Sequence, residues 1–156
     1  MSATLTLFHF WRERLIQSLE AVDTETAERI PQGFSNNIRW HAGHILVNFN
    51  EKINPLSGEK EHFSPDLHHA FTKGSAPGDW EGLQIPELED LISLLKQQNE
   101  WVEQNAPAIF AARMDNPFRG METGEQLVQF LTVHDGHHLG TINSLKKALG
   151  IQNVWG

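Results

Sequence analysis

Apolar residues near the start of the chain fall at Leu5, Phe8, Leu15, Ile16, Leu19 and Val22. This three-and-four spacing makes a single buried stripe and predicts a first helix over residues 3–22. A second helix is expected to begin after Ser35 or Asn36, either of which can accept a bond from the free N–H groups of a first turn, and to run to about Lys52. Asn54-Pro55 and Ser57-Gly58 are expected to stop it. From Asn54 to Pro86 the chain is rich in Pro and Gly and reads as a long connection, within which Ser64-Pro65-Asp66 can open a short helix. Leu88, Leu91, Ile92, Leu95 and Val102 restore the helical period and predict a third helix over residues 86–105. The fourth, over residues 124–148, opens on Thr123 and Gln126 at capping-box spacing and closes on Lys146, Lys147 and Gly150.

No alternating strand pattern, internal repeat or low-complexity tract is found. The expectation is an all-α protein, one four-helix-bundle domain over residues 1–156. The long link between helices two and three permits a crossover connection.

The chain's 156 residues suit one self-sufficient domain. Cysteine is absent, which excludes disulfides, thiolate metal sites and a protein thiol nucleophile. A net charge of −8 argues against polyanionic partners, so no nucleic acid is expected. The stretch from Met1 to Arg14 lacks the pattern of a secretory leader, and no apolar run is long enough to span a bilayer. A cytoplasmic protein with no membrane partner is therefore expected.

Nine histidines turn attention to metal chemistry. Within Val133-His134-Asp135-Gly136-His137-His138-Leu139-Gly140, His134 and His138 are one turn apart, about 40° round the helix, and close enough to share an ion. They fall within the apolar stripe of Leu127, Phe130, Leu131, Ile142 and Leu145. The alternative is a pair of neutral core histidines. On helix two, Asn37, His41, His44, Asn48 and Glu51 form a polar line that can be either a source of further ligands or a solvated face. Gly43, Gly136 and Gly140 beside these histidines suggest close helix approach, the alternative being tolerated helical glycine.

Trp40-His41-Ala42-Gly43-His44, the segment from His134 to Gly140, and Phe71-Thr72-Lys73-Gly74-Ser75-Ala76-Pro77 in the crossover together resemble the DinB/YfiT-like superfamily, over essentially the whole chain. That resemblance implies an up-down-down-up bundle with a metal site formed by His44, His134 and His138, leaving His41 and His137 as neighbours. Many relatives carry Arg where this chain has Leu139, so contacts from that position are expected to differ.

Three imidazoles leave a divalent ion with an open position, and zinc is expected first, with nickel, iron or manganese as alternatives. The resemblance further implies a bacillithiol-transferase-like activity, a thiol-dependent S-transferase whose partners are a small-molecule thiol and an electrophilic substrate. A metal-dependent hydrolase and a non-enzymatic, stress-induced metal-binding bundle are the alternatives. Asn48 and Glu51 are candidates for supporting the ligands or handling a proton. Ile38, Ile45, Leu46 and Phe49, facing away from the polar line, suggest a homodimer. His9 and Trp80 are expected to pack, and His62, His68 and His69 to be exposed.

Overall fold

The Ser2 hydroxyl accepts from the Leu5 N–H and starts the first helix, α1, Ala3–Glu20. In this computed structural model, residues 2–58 and 63–155 are described, so His62 lies outside the described residues. Helix α1 buries Leu5, Phe8, Leu15 and Leu19, as the apolar spacing predicts. A short helix absent from the periodicity, α2, Thr24–Glu28, follows, started by Asp23. With five residues and Ala27 alone buried, it is too short to leave a pattern.

Helix α3, Ile38–Ser57, starts later than expected because Asn37, and neither Ser35 nor Asn36, is its N-cap. The Asn37 Oδ1 accepts from the Trp40 N–H at 2.8 Å while its Nδ2 donates to the Glu28 carbonyl at 3.2 Å. Nor does Asn54-Pro55 stop the helix. Pro55 removes one N–H near an end where the freed carbonyl can be solvated, and the helix closes at Gly58, whose φ of +72° only glycine adopts readily.

The crossover holds α4, Pro65–Phe71, capped by Ser64 as its sequence allows, and a single 3₁₀ turn, Pro77–Asp79. Helix α5, Leu88–Ala111, runs past its expected end because Ala106 and Ile109 extend the buried stripe beyond Val102, while Pro107 sits on the exposed side. Two strands, β1, Arg113–Phe118, and β2, Met121–Thr123, pair antiparallel, against the expectation of none. Both are edges, and β1 contains Pro117 and is mostly exposed, so it carries no apolar alternation to read. Helix α6 spans Gly124–Ala148 with both capping-box bonds of Thr123 and Gln126 in place.

Helix directions follow from the cross-helix bonds. Thr4 meets Glu125, Arg12 meets Asp135 and Ser18 meets Asn143, so α1 and α6 are parallel. His41 meets His138 and Asn48 approaches His134, so α3 runs against α6. Arg39 bonds the Pro86 carbonyl and Leu46 receives Gln98, so α5 runs with α3. The bundle is up-down-down-up.

Ile38, Ile45, Leu46 and Phe49 are all fully buried inside this chain. The apolar residues that suggested a homodimer thus belong to the core of this chain. The glycines also sort themselves. A side chain at Gly43 would overlap the Phe71 ring, so the close approach there is to the crossover helix and not to α6. Gly136 has only Trp11 near it, and Gly140 faces open space.

At Gly124 a Cβ would collide with the Ile109 carbonyl, which is backbone and cannot swing aside. Gly124→Ala is therefore expected to lower stability by about 1–3 kcal/mol. Gly140→Ala, with room for its methyl group, is expected to raise stability by up to about 1 kcal/mol. Urea unfolding of the two variants tests this, and shifts of the same sign would contradict the packing described.

Candidate metal centre

The antiparallel pairing of α3 and α6 brings His44 opposite His134 and His138. One imidazole nitrogen from each lies within 4.8 Å of the other two. The facing Nε2 atoms of His134 and His138 are 3.1 Å apart, and the His44 ring centroid lies 5.3 Å from that of His134 and 4.9 Å from that of His138. His44 and His138 are buried, and His134 is half-buried.

Each ring is fixed from behind. The His44 Nδ1 donates to the Phe71 carbonyl at 2.8 Å, which leaves Nε2 unprotonated and free to act as a donor to a cation. Trp40 stacks flat on the same ring, at 4.7 Å and 7°, and its Nε1 donates to the Ser75 hydroxyl. The segment Phe71–Pro77 thus acts through one backbone carbonyl and one hydroxyl. His138 Nδ1 pairs with His41 Nδ1 at 2.8 Å, so His41 lies behind the site, engaged with His138. The Asn48 amide is 3.5 Å from His134 Nδ1, and Asp135 Oδ1 is 3.9 Å from the same nitrogen.

Glu51 reaches His44 through its charge, which favours the protonated ring. It is exposed and pairs with His68 at 3.1 Å, so it orders the crossover and does not line the site. His137 is exposed at the cavity edge, and His69 is exposed as expected, whereas His68 is half-buried. Trp80 packs on Phe71 and donates to the Ala70 carbonyl, a packing role. His9 is half-buried between Phe8 and Glu103. Leu139 is buried in the core, so its position contributes packing and no contact in the cavity.

Burial is the main influence on the imidazoles. It pushes His41 down to about 4, with help from His44 and His137, and His138 down to about 2, with help from His134, His41 and His44. His44 is lowered for the same reason, partly offset by its bond to the Phe71 carbonyl. Burial thus favours the neutral form of His41, His44 and His138, in which a ring nitrogen keeps its lone pair.

A cavity of about 470 Å³ opens over the histidines, walled by Trp40, Phe118 and Phe130 and reached by Lys52, Lys73 and Arg119. Phe118 and Arg119 come from the hairpin. No sequence signal pointed to them, because a bend of two residues between short exposed strands has no periodicity.

Convergent imidazole nitrogens, held in place by hydrogen bonds to the other side of their rings, are what a divalent cation requires, so this three-histidine group could hold a metal ion. Among the described residues, no other group of three or more His, Cys, Asp or Glu side chains lies close enough together to share an ion. A family model described as the DinB superfamily matches residues 7–142. The chain belongs to the DinB superfamily. Among curated proteins, none matches it. No helix among the described residues is long and apolar enough to cross a membrane.

The lowered histidines make stability depend on pH. Below about pH 6.5 the unfolded chain takes up protons that folded His41 and His138 refuse, so stability falls as pH falls. The slope is up to about 1.4 kcal/mol per pH unit for each histidine. For His41 the window ends near pH 4, and for His138 it continues toward about 2. Urea unfolding of metal-free protein at a series of pH values is expected to show this fall, and His41→Asn to make it shallower. A midpoint unchanged across that window would refute neutral burial of the imidazoles.

Proposed function

We propose that this protein is a divalent-metal-dependent S-transferase that joins a low-molecular-weight thiol to an electrophile. The observation that carries the reading is the convergence of His44, His134 and His138 on the floor of an open cavity, in a chain that has no cysteine of its own. A closed structural site would bury all of its donors, whereas here the His134 side chain is 20 % exposed and borders a space large enough for a substrate.

His44, His134 and His138 would hold the ion, with zinc the first expectation and nickel, iron or manganese also suited to imidazole. Such an ion, when bound, is a Lewis acid that favours the ionised form of a thiol at neutral pH. The chain's own residues supply the rest. Phe71, His41 and Asn48 hold the three rings in one orientation, so little freedom remains to be lost on loading. Trp40, Phe118 and Phe130 give the cavity apolar walls that keep water away and accept the hydrocarbon part of an electrophile. In the reaction a carbon–sulfur bond forms and the bond from that carbon to its leaving group breaks. The thiol proton departs with the leaving group.

Elemental analysis of untagged protein is expected to find about one divalent ion per chain, and the His134→Ala, His138→Ala double variant to lose it. Loaded protein is expected to consume an electrophile such as chlorodinitrobenzene only when a thiol is added, and the double variant not to do so above background. Equal turnover without thiol would assign the site to hydrolysis instead. Failure to retain zinc, nickel or manganese would refute the metal centre itself.

A further inference from the structure

The mouth of the histidine cavity is cationic in a protein whose net charge is −8. Lys52 comes from α3, Lys73 from the loop after α4, and Arg119 from the hairpin turn, so three separate segments place a positive side chain on one cavity. Among its described lining residues there is no carboxylate. Nor does any of the three cations make an ion pair among the described residues, whereas Arg39, Lys96 and Arg113 each find a glutamate.

Two of these cations share one ring. The Lys52 Nζ lies 5.1 Å and the Arg119 guanidinium carbon 5.8 Å from the Phe118 ring centroid. Cation–π attraction holds each against the ring, but two like charges gathered there repel each other with no anion between them. Arg119 is also the one non-glycine described with a positive φ, +51°, followed by Gly120 at +84°. That pair forms the two-residue bend of a hairpin in which Asn-Gly is the relaxed choice. A bulky residue in the left-handed region costs stability, and the gain here is a guanidinium presented at the cavity mouth.

We infer that the cavity mouth is a subsite for an oxyanion, a carboxylate or phosphate group carried by one of the two reactants, bound by Lys52, Arg119 and Lys73 while its reacting end faces the histidines. The inference rests on the reading of those histidines as the reactive centre and requires one of the two reactants to be anionic. Guanidinium and ammonium groups supply charge-assisted hydrogen bonds, and the apolar walls below keep competing water away.

The anion subsite is tested first without metal, so that it does not depend on turnover. Amide-proton NMR titration of metal-free protein with succinate is expected to move the Arg119 and Lys73 signals, with binding about tenfold tighter than that of neutral succinamide. Lys52→Met with Arg119→Asn is expected to abolish that preference. Asn is at home at the positive φ of the turn, so the hairpin is retained, and zinc uptake by this variant is expected to be unchanged.

Zinc-loaded protein then identifies which reactant carries the charge. Mercaptosuccinate is compared with its neutral diamide, and a chloronitrobenzoate with the corresponding benzamide, by binding and by kcat/KM. A preference for the acid in either pair, lost in the double variant, supports the subsite. Equal affinity of succinate and succinamide, or a preference that survives the double substitution, overturns it. Retained succinate preference with no thiol-dependent turnover defeats the transferase reading and leaves the anion subsite standing.

Discussion

The guanidinium of Arg12, with no exposure to solvent, is the constraint around which this bundle is arranged. A buried charge must be neutralised and hydrogen-bonded, and breaking such a pair typically costs about 3–5 kcal/mol. Arg12 lies on α1 and draws on other helices. Its Nε donates to Asp135 on α6 and its Nη1 to Gln98 on α5, while the Gln98 amide donates to the Leu46 carbonyl on α3. Phe8 and Phe49 flank it at 5.1 and 4.8 Å. All four long helices therefore meet in one polar layer. Along each helix that layer falls between two apolar clusters, one containing Leu19, Ile38, Leu95 and Ile142, the other Phe8, Phe49, Ile109 and Leu131.

The layer also sets where chemistry can occur. Asp135 can face Arg12 in only one rotation of α6, and at 100° per residue that rotation turns His138 and His134 toward α3. The register of α3, held through Leu46, then places His44 opposite them. The free oxygen of Asp135, 3.9 Å from His134 Nδ1, carries the negative charge of the layer up to the edge of the site. Structural ion pair and candidate metal centre are thus adjoining parts of a single polar stratum in an apolar bundle.

What surrounds the histidines comes from outside the four-helix frame. The crossover supplies the Phe71 carbonyl behind His44 and the Ser75 hydroxyl behind Trp40, and it sits close because Gly43 has no side chain to hold Phe71 away. The hairpin supplies Phe118 and Arg119 at the opposite rim. Bundle helices thus furnish rigid ligands, and the connections furnish the walls and charge of the cavity. Such a division lets the surroundings of a site change through the connections alone while the helical frame stays the same.

Local chemistry written in the chain was enough for the four long helices, for the start of α6 at Thr123 and Gln126, and for the one-turn spacing of His134 and His138, because periodicity and capping act within a few residues. The motif resemblance added His44 and the up-down-down-up order. Other features escaped a linear reading. Arg12, in Trp11-Arg12-Glu13-Arg14, looks like a solvated residue until α5 and α6 close over it. Glu51 shares a helical line with His44, yet the crossover draws it to His68. Ile38, Ile45, Leu46 and Phe49 look like surplus apolar surface until α5 covers the far side of α3. The hairpin leaves no pattern because its strands bury almost nothing. The sequence by itself determined the four long helices and the one-turn spacing of His134 and His138, because both are local. Only the tertiary structure decided which polar groups are buried together, because pairing a charge or fixing an imidazole depends on residues tens of positions apart meeting at hydrogen-bond distance.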